Sequence, residues 1–230
     1  MKKTAENEIR RCLAQFITPE RRRRVRDVVR LRTRHVTLVL EDIHKSQNAS
    51  ATLRTCECLG IQDVYSIENK NRFVLDKEVS LGASRWITMH RFRAPGADNT
   101  RLCYRALRQK GYRVVATAPG QQESGPEDLD ISRPLAVVFG NEVDGLSAAA
   151  FSGADALLSI PLYGFTRSYN ITVSAGIVLA AVVFRLRASD IAWQLPPEEQ
   201  NRLILSWYRK IVRGSGLIEE RWSGKNTHKA

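Results

Sequence analysis

Short apolar runs rich in β-branched residues recur through the middle of the chain and predict buried strands. The predicted strands cover residues 36–40, 63–67, 86–90, 112–117, 135–139 and 156–160. Segments with helical spacing lie between several of them, and the clearest predicted helix spans residues 98–110. Because strands alternate with helices, the pattern predicts an α/β fold with a mainly parallel sheet.

A helix is predicted directly after the first strand and its polar loop. Asn48 is a good N-cap residue for a helix over 49–59, which Gly60 would end. At about 100° per residue, Arg54 faces away from the apolar stripe of this helix. The side chain of Arg54 is therefore available for function.

A second helix is predicted after Asn170, and every residue of 171–184 is apolar or small. The segment is shorter than the roughly 20 residues that a membrane-spanning helix needs. We therefore expect a helix that is buried on nearly all sides of a globular core, with Ser168 or Asn170 as its N-cap.

Both ends of the chain have helical patterns. Residues 1–34 read as helical, with Pro19 at the first position of a helix, and Pro197 begins another that ends near Val212. The tail from Gly214 is expected to be loose. The polar, acidic stretch 121–133 is expected to be a surface loop.

The charge of +12, from 36 Lys and Arg against 24 Asp and Glu, is unevenly placed. Residues 1–35 hold 12 basic and 4 acidic side chains and residues 185–230 hold 9 and 5, whereas residues 36–184 hold 15 of each. Two basic arms that flank a neutral middle favour a polyanionic partner, nucleic acid first. The alternative is that the arginine-rich helices only solvate the surface.

These patterns divide the chain into a basic helical arm (1–35), a charge-neutral α/β domain (36–187) and a helical extension (188–230). The arm carries the candidate RNA-binding side chains Arg21, Arg22, Arg23, Arg24 and Arg26. The four cysteines do not form a disulfide framework or a zinc-site spacing, and the amino terminus lacks an apolar signal segment. We expect reduced thiols, no bound metal, no membrane association and a cytoplasmic protein.

Common motifs for an α/β enzyme are missing from the sequence. No G-x-G-x-x-G follows a predicted strand, and neither a P-loop nor a G-x-S-x-G nucleophile elbow occurs. Three polar loops after predicted strands remain as candidate chemistry: the loop ending at Asn48, the loop over 140–147, and the loop over 163–170. Each loop taken alone could be only a connection.

These three loops resemble, in order and spacing, the three motifs of the SpoU/TrmH family of SPOUT RNA 2'-O-ribose methyltransferases. The likeness extends over residues 36–187. The residues that carry it are Asn48, Arg54 and Gly60; then Phe139, Gly140, Asn141, Glu142 and Gly145; then Ile160, Pro161, Leu162, Ser168, Tyr169 and Asn170.

The resemblance implies a deep trefoil knot in the carboxy-terminal half of the catalytic domain, S-adenosylmethionine as cofactor, and a homodimer. It implies methyl transfer to the ribose 2'-hydroxyl of a guanosine in tRNA, position 18 of the D-loop. Carried over by position, the cofactor contacts are Thr117, Gly140, Ile160, Leu162 and Tyr169.

The resemblance also implies catalytic roles. Arg54 would be central, and since a guanidinium keeps its proton up to pH about 12, a clamp on a substrate phosphate is a better role for it than that of a plain base. Asn48 would orient Arg54 or shape the dimer interface, and Glu142 would anchor the loops or the target nucleotide. Ser168 and Asn170 would order the loop beside the methyl donor. Arg167 departs from the family pattern, which tends to have glutamine at this position, and is a candidate for an additional phosphate contact.

Other roles stay open for these side chains. Arg54 could instead form an ion pair with Glu57 or Asp63, Asn48 could be a helix cap, and Glu142 could close its loop by a salt bridge. Two other functions also stay open: a ribosomal RNA 2'-O-ribose methyltransferase of the same family, and a non-catalytic RNA-binding protein.

Overall fold

The computed structural model describes residues 2–120 and 125–227, so part of the predicted loop over 121–133 lies outside the described residues. The chain forms two compact units. One consists of residues 33–193, and the other combines residues 1–32 with residues 194–230. The described part of the chain contains no helix that is long and apolar enough to cross a membrane.

A six-stranded parallel sheet forms the centre of the 33–193 unit, which confirms the predicted α/β class. The strand order is β3-β2-β1-β5-β4-β6. The strands are β1 (Val36–Glu41), β2 (Asp63–Ile67), β3 (Thr88–Phe92), β4 (Arg113–Thr117), β5 (Leu135–Phe139) and β6 (Ala156–Leu158). All residues of β1, β2 and β5 are buried, as expected for parallel strands covered on both faces.

The strand order creates a crevice at the carboxyl edge of the sheet. β1 pairs with β2 on one side and with β5 on the other, and the chain leaves β1 and β5 in opposite directions. Loops that leave neighbouring parallel strands in opposite directions open a space between them, where α/β proteins bind ligands. The three candidate loops all start at this edge.

Helices cover both faces of the sheet. The helices of this unit are α3 (Ser46–Leu59), α4 (Lys77–Ser80), α5 (Asn99–Gln109), α6 (Ala148–Ser152) and α7 (Ile171–Arg187), with a short 3-10 turn at Ala83–Arg85. On one face α3 and α7 pack together and bury Leu53 and Val178 against the strands. On the other face α5 buries Cys103 and Leu107 against Tyr65.

The expectation that α7 is buried on nearly all sides is wrong. Val173 is 47% exposed, Ile177 39% and Phe184 63%, and these residues lie along one side of the helix. α3 and the sheet cover only the opposite side of α7, where Ala175, Val178 and Val182 are buried. α7 therefore presents an apolar stripe on the surface of the 33–193 unit.

In its described residues, the second unit contains four helices, α1 (Lys2–Ala14), α2 (Pro19–Arg30), α8 (Pro197–Ile211) and α9 (Ser215–Thr227). Thr18 caps α2 by accepting a hydrogen bond from the Arg21 amide, with Pro19 at the first position as predicted. Val25 and Val29 are buried, whereas Arg21, Arg23, Arg24 and Arg26 are exposed.

The prediction of a loose tail from Gly214 is wrong as far as Thr227. Gly214 adopts the left-handed conformation (φ 72°) that lets the chain turn, and α9 begins at Ser215. The Arg209 guanidinium donates two hydrogen bonds, of 2.8 and 2.9 Å, to the Glu219 carboxylate and ties α9 to α8. Residues 228–230 lie outside the described part of the chain.

Candidate active site

A cavity of about 610 Å³ lies at the carboxyl edge of the sheet, within the range usual for small-molecule sites. The loop over 140–147, which follows β5, forms one wall, and the loop over 160–170, which follows β6, forms another. Ten of the predicted site residues line it: Asn48, Thr117, Gly140, Glu142, Ile160, Leu162, Arg167, Ser168, Tyr169 and Asn170. The fold thus brings together three loops that are far apart in sequence.

The 140–147 loop closes on itself at Gly140. The Asn141 amide donates to the Gly145 carbonyl (3.0 Å), and the Gly145 amide donates back to the Asn141 carbonyl (3.2 Å). The Asn141 Oδ1 accepts from the amides of Val143 and Asp144. A Cβ at position 140 would lie 2.1 Å from the Gly145 carbonyl carbon, so the closed loop requires glycine there.

Glu142 connects this loop to the start of α3. Its carboxylate accepts hydrogen bonds from the His44 amide (3.0 Å), the Lys45 amide (3.3 Å) and the Asn48 Nδ2 (2.6 Å). Burial by itself raises the pKa of Glu142, but the hydrogen bonds from Asn48 and from the backbone outweigh burial and lower it below the ordinary value. The carboxylate is therefore ionised at neutral pH and holds two loops together.

Asn48 is not the N-cap residue of α3. The helix begins at Ser46, two residues before Asn48, and no side chain caps it. Asn48 lies in the first turn and its amide is bound to Glu142. The alternative of a simple helix cap is thus wrong.

The alternative that Glu142 closes its loop by a salt bridge is not met among the described residues. The Glu142 carboxylate closes the loop by accepting hydrogen bonds from two backbone amides and from the side-chain amide of Asn48.

Protonation of Glu142 is expected to weaken binding of a ligand in the cavity. Because the pKa of Glu142 in the folded protein lies below the ordinary value of 4.5, the carboxylate stays largely ionised at pH 4.5 and above. It is protonated, and its hydrogen bonds to the two loops are lost, only as the pH falls through the lowered pKa. Titration calorimetry with S-adenosylhomocysteine should therefore give a flat affinity from pH 8 to about 4.5 and a fall only below it.

Glu142→Gln isolates this effect from the titration of other carboxyl groups. A glutamine amide places a donor against the donors of Asn48 and the backbone, so the variant should bind more weakly at pH 7 and lose less affinity on acidification. Glu220→Gln, an exposed carboxylate on α9, is the control and should behave as the wild type does. Equal acid sensitivity in Glu142→Gln and the wild type would contradict this role.

The 160–170 loop runs from the end of β6 to the start of α7. Asn170 caps α7, as predicted, by accepting hydrogen bonds from the Thr172 amide (2.8 Å) and hydroxyl (2.6 Å). The Tyr169 hydroxyl donates to the Pro161 carbonyl at 3.4 Å and so joins the two ends of the loop. Tyr169, Ser168 and Arg167 are exposed in this chain and face the cavity that they line.

Arg54 does not line this cavity. It follows Asn48 by six residues, which places it about 240° around α3 and about 9 Å along it. Arg54 lines a second, more open cavity beside α7 with Ala51, Cys58, Gly176 and Ala180. Asp63, one of the ion-pair partners considered for Arg54, is bound by Arg34 instead (2.9 Å).

Of the arginines predicted to bind RNA, Arg167 lines the cavity, whereas those of α2 belong to the other unit. Arg21, Arg23, Arg24 and Arg26 are exposed on α2, and Arg22 is half-buried. Because successive residues lie about 100° apart on a helix, these arginines spread around α2, and Arg23 and Arg24 lie opposite the buried Val25 and Val29.

Several residues at the cavity were not identified from the sequence. Lys45 and Asp144 line it, and Ser147 and the buried Glu41 bind each other at the end of the 140–147 loop. Ser147 after Gly145 fits the pattern of a helix N-cap, and it caps α6. Within the described ranges, no group of three or more His, Cys, Asp or Glu side chains is placed to hold a metal ion.

A protein-family model described as the SpoU rRNA Methylase family matches residues 35–180. The tRNA (guanosine(18)-2'-O)-methyltransferase of Borreliella burgdorferi is 42% identical over 207 residues, which cover 90% of this chain and 93% of that protein. Among solved structures, the A. aeolicus TrmH/SpoU tRNA modifying enzyme superposes with a TM-score of 0.74 at 24% identity, over 84% of this chain and 98% of that one. The SpoU methyltransferase AviRb from Streptomyces viridochromogenes, in complex with the cofactor AdoMet, superposes with a TM-score of 0.56 at 23% identity, over 71% and 62% of the two chains.

Proposed function

Because the chain belongs to the SpoU rRNA methylase family, we propose that it transfers a methyl group from S-adenosylmethionine to the ribose 2'-hydroxyl of guanosine 18 in tRNA. The observation that carries the proposal is the convergence of the three motif loops on one cavity at the carboxyl edge of the sheet. The choice of substrate is supported by the 42% identical relative that bears this name.

The cavity fits S-adenosylmethionine. Its volume of about 610 Å³ suits a nucleoside with an amino-acid tail, and the glycine at position 140 keeps backbone groups of the 140–147 loop at its surface. Thr117, Gly140, Ile160, Leu162 and Tyr169 would hold the cofactor, the first four largely through backbone groups. When bound, the cofactor supplies a methyl group on a positively charged sulfonium.

Side chains of the protein and groups of the RNA must position the ribose hydroxyl and accept its proton. A ribose hydroxyl is a weak acid, so methylation requires that its proton be accepted as the oxygen attacks. A guanidinium group is a poor base, so Arg54 would instead clamp a substrate phosphate, which then helps to accept the proton. Asn48 and Glu142 hold the two loops at the cavity, and Ser168 and Asn170 order the 160–170 loop where the hydroxyl must enter. Positioning supplies much of the rate in such a displacement.

We also propose that residues 139–186 form a deep trefoil knot. The adjacency of β4, β5 and β6 supports this topology, because the 140–147 and 160–170 loops then pack against each other around the cavity. Such a knot is a rare exception to the usual rules of chain threading.

A homodimer would complete the site. The exposed stripe of α7, with Val173, Ile177 and Phe184, continues across Gly176 and Ala180 to the cavity that Arg54 lines. A twofold dimer through this surface would bury the stripe and carry Arg54 of the partner subunit toward the cofactor cavity. This arrangement explains why Arg54 lies outside the cavity of its own chain.

The double substitution Arg22→Ala and Arg24→Ala should weaken tRNA binding and reduce its salt dependence. Each phosphate contact contributes about 0.9 to the slope of log K against log salt, so the double variant should lose up to about two units of slope. Filter binding between 50 and 300 mM salt measures it. Arg105→Ala, an exposed arginine on α5, is the control, and an equal slope in wild type and double variant would place the RNA elsewhere.

Incubation with methyl-labelled S-adenosylmethionine and separate tRNA and ribosomal RNA pools tests the function. The proposal expects label in tRNA as 2'-O-methylguanosine at position 18. Label confined to ribosomal RNA would favour the alternative within the family, and no label in either pool, with RNA still bound, would favour a non-catalytic RNA-binding protein.

A further inference from the structure

A buried carboxylate is bonded to the end of the 140–147 loop. Glu41, the last residue of β1, is 1% exposed. Its Oε2 accepts a hydrogen bond from the Ser147 amide (2.8 Å), and its Oε1 accepts from the hydroxyls of Ser147 (2.8 Å) and Thr100 (2.6 Å). Glu41 does not line the cavity, so it acts on the site only through the loop.

Every described hydrogen-bond partner of Glu41 donates to it. The Ser147 hydroxyl oxygen accepts from the Ala150 amide, and the Thr100 hydroxyl oxygen accepts from the Asn69 Nδ2. Each hydroxyl proton is therefore directed to Glu41, and the Ser147 amide is a donor by nature. All three partners therefore donate, and both carboxyl oxygens of Glu41 act as acceptors.

Burying a carboxylate is costly in general unless it is well paired. The hydrogen-bond partners of Glu41 in the described chain are two hydroxyls and one amide, not a lysine or an arginine. Burial raises the pKa values of Cys103 and Tyr104, and the negative charge of Glu41 raises them further. Since a buried charge without a cationic partner stabilises a fold poorly, a local purpose is the better explanation for this carboxylate.

The contact between Glu41 and Ser147 indicates this local role. Ser147 directly follows Gly145 and Leu146, and the Gly145 carbonyl is the group that closes against Gly140 at the cavity wall. Glu142 fixes the other side of the same loop to the start of α3. Two carboxylates therefore hold this loop. Glu142 belongs to the loop and binds the start of α3, and Glu41 belongs to β1 and binds Ser147 at the end of the loop.

We propose that Glu41 is a positioning residue of the methyl-donor site. It fixes Ser147 and thereby holds the 140–147 loop in the conformation that binds S-adenosylmethionine. The inference rests on the proposed function for the identity of the ligand. It places a residue from the first strand, outside the cavity lining, among those that set cofactor affinity.

Glu41→Gln tests the proposal, because a glutamine turns an amide donor toward groups that all donate. We expect the dissociation constant of S-adenosylhomocysteine to rise about tenfold or more, the effect of losing charge-assisted hydrogen bonds. The KM for S-adenosylmethionine should rise with it, whereas the KM for tRNA and the salt dependence of tRNA binding should not change. Calorimetry and initial rates measure these quantities.

Thr100→Val is the matched control. It removes the third hydrogen bond of Glu41 on the side of α5 and leaves both bonds to Ser147. We expect lower thermal stability with donor affinity within about twofold of the wild type, well below the effect of losing the charged partner. If Glu41→Gln also stays within twofold, or Thr100→Val weakens donor binding as much, the role of Glu41 is only structural and the proposal fails.

Ser147→Ala keeps the test decisive if Glu41→Gln does not fold. It leaves the Ser147 amide in place and removes one of the two hydrogen bonds, so a rise of about three- to tenfold is expected. An unchanged dissociation constant in Ser147→Ala would overturn the proposal. A wild-type protein that binds no donor would instead overturn the proposed function, which separates the two failures.

Discussion

Arg54→Ala is expected to lower the kcat of tRNA methylation by about 10³-fold or more, while S-adenosylmethionine binds as it does to the wild type. The variant loses both the clamp on the substrate and the help with the proton, each of which contributes orders of magnitude. Donor affinity should persist because Arg54 lies outside the donor cavity. Single-turnover rates and calorimetry on the same preparation measure the two effects.

Arg54→Lys separates charge from geometry. A lysine keeps the cation but lacks the planar fork that binds a phosphate through two hydrogen bonds. Its rate should therefore lie between those of the alanine variant and the wild type. Near-normal methylation by Arg54→Ala would exclude the proposed role, and a parallel loss of donor affinity would place Arg54 in the donor site instead.

Gly140→Ala is expected to lower donor affinity by about 10²-fold, the second large effect. The added methyl group would lie 2.1 Å from the Gly145 carbonyl carbon, so the 140–147 loop must open. A displacement of about 1 Å in a binding wall is enough for a loss of this size. Calorimetry with S-adenosylhomocysteine measures it, with circular dichroism to verify the fold.

Gly153→Ala is the matched control for Gly140→Ala. A methyl group there would lie 2.8 Å from the Ala149 carbonyl oxygen, so this variant also strains a backbone contact, but at the end of α6 and away from the cavity lining. It should lose stability and keep donor affinity. If Gly140→Ala binds the donor as Gly153→Ala does, the closed loop is not what holds the cofactor.

Mixed dimers of the Arg54→Ala and Gly140→Ala variants test whether Arg54 of one protomer acts on the cavity of the other. One protomer would carry Arg54→Ala with an intact cavity, and its partner Gly140→Ala with an intact Arg54. If Arg54 acts on the cavity of the other protomer, the mixed dimer contains one complete site and regains activity. If Arg54 acts within its own chain, neither site is complete and the mixed dimer is inactive.

Local sequence patterns predicted the sheet well where burial alone determines a strand. The predicted strands 63–67 and 135–139 match β2 and β5. The prediction over 86–90 begins too early, since β3 spans Thr88–Phe92 and includes Arg91. Arg91 fits the strand because its guanidinium binds the Glu68 carboxylate (2.7 Å to each oxygen), a long-range contact that hydrophobic periodicity does not report.

The candidate site shows the same limit. Asn48 looks like a helix cap from its neighbours, yet its partner is Glu142, 94 residues away. Glu41 reads as the first residue of the polar loop after the strand predicted over 36–40, yet it is the last residue of β1 and binds Ser147, 106 residues away. The residue types of the motif loops were therefore visible in the sequence, whereas the carboxylates that hold these loops together required the fold.

Removal of the acceptor hydroxyl from the tRNA is the most direct test of the proposed methyl transfer. A tRNA transcript with a single 2'-deoxyguanosine at position 18 lacks only the hydroxyl that is proposed to receive the methyl group. With labelled S-adenosylmethionine, we predict stoichiometric labelling of the unmodified transcript and none of the deoxy transcript, although both bind. Equal labelling of the two transcripts would contradict the account.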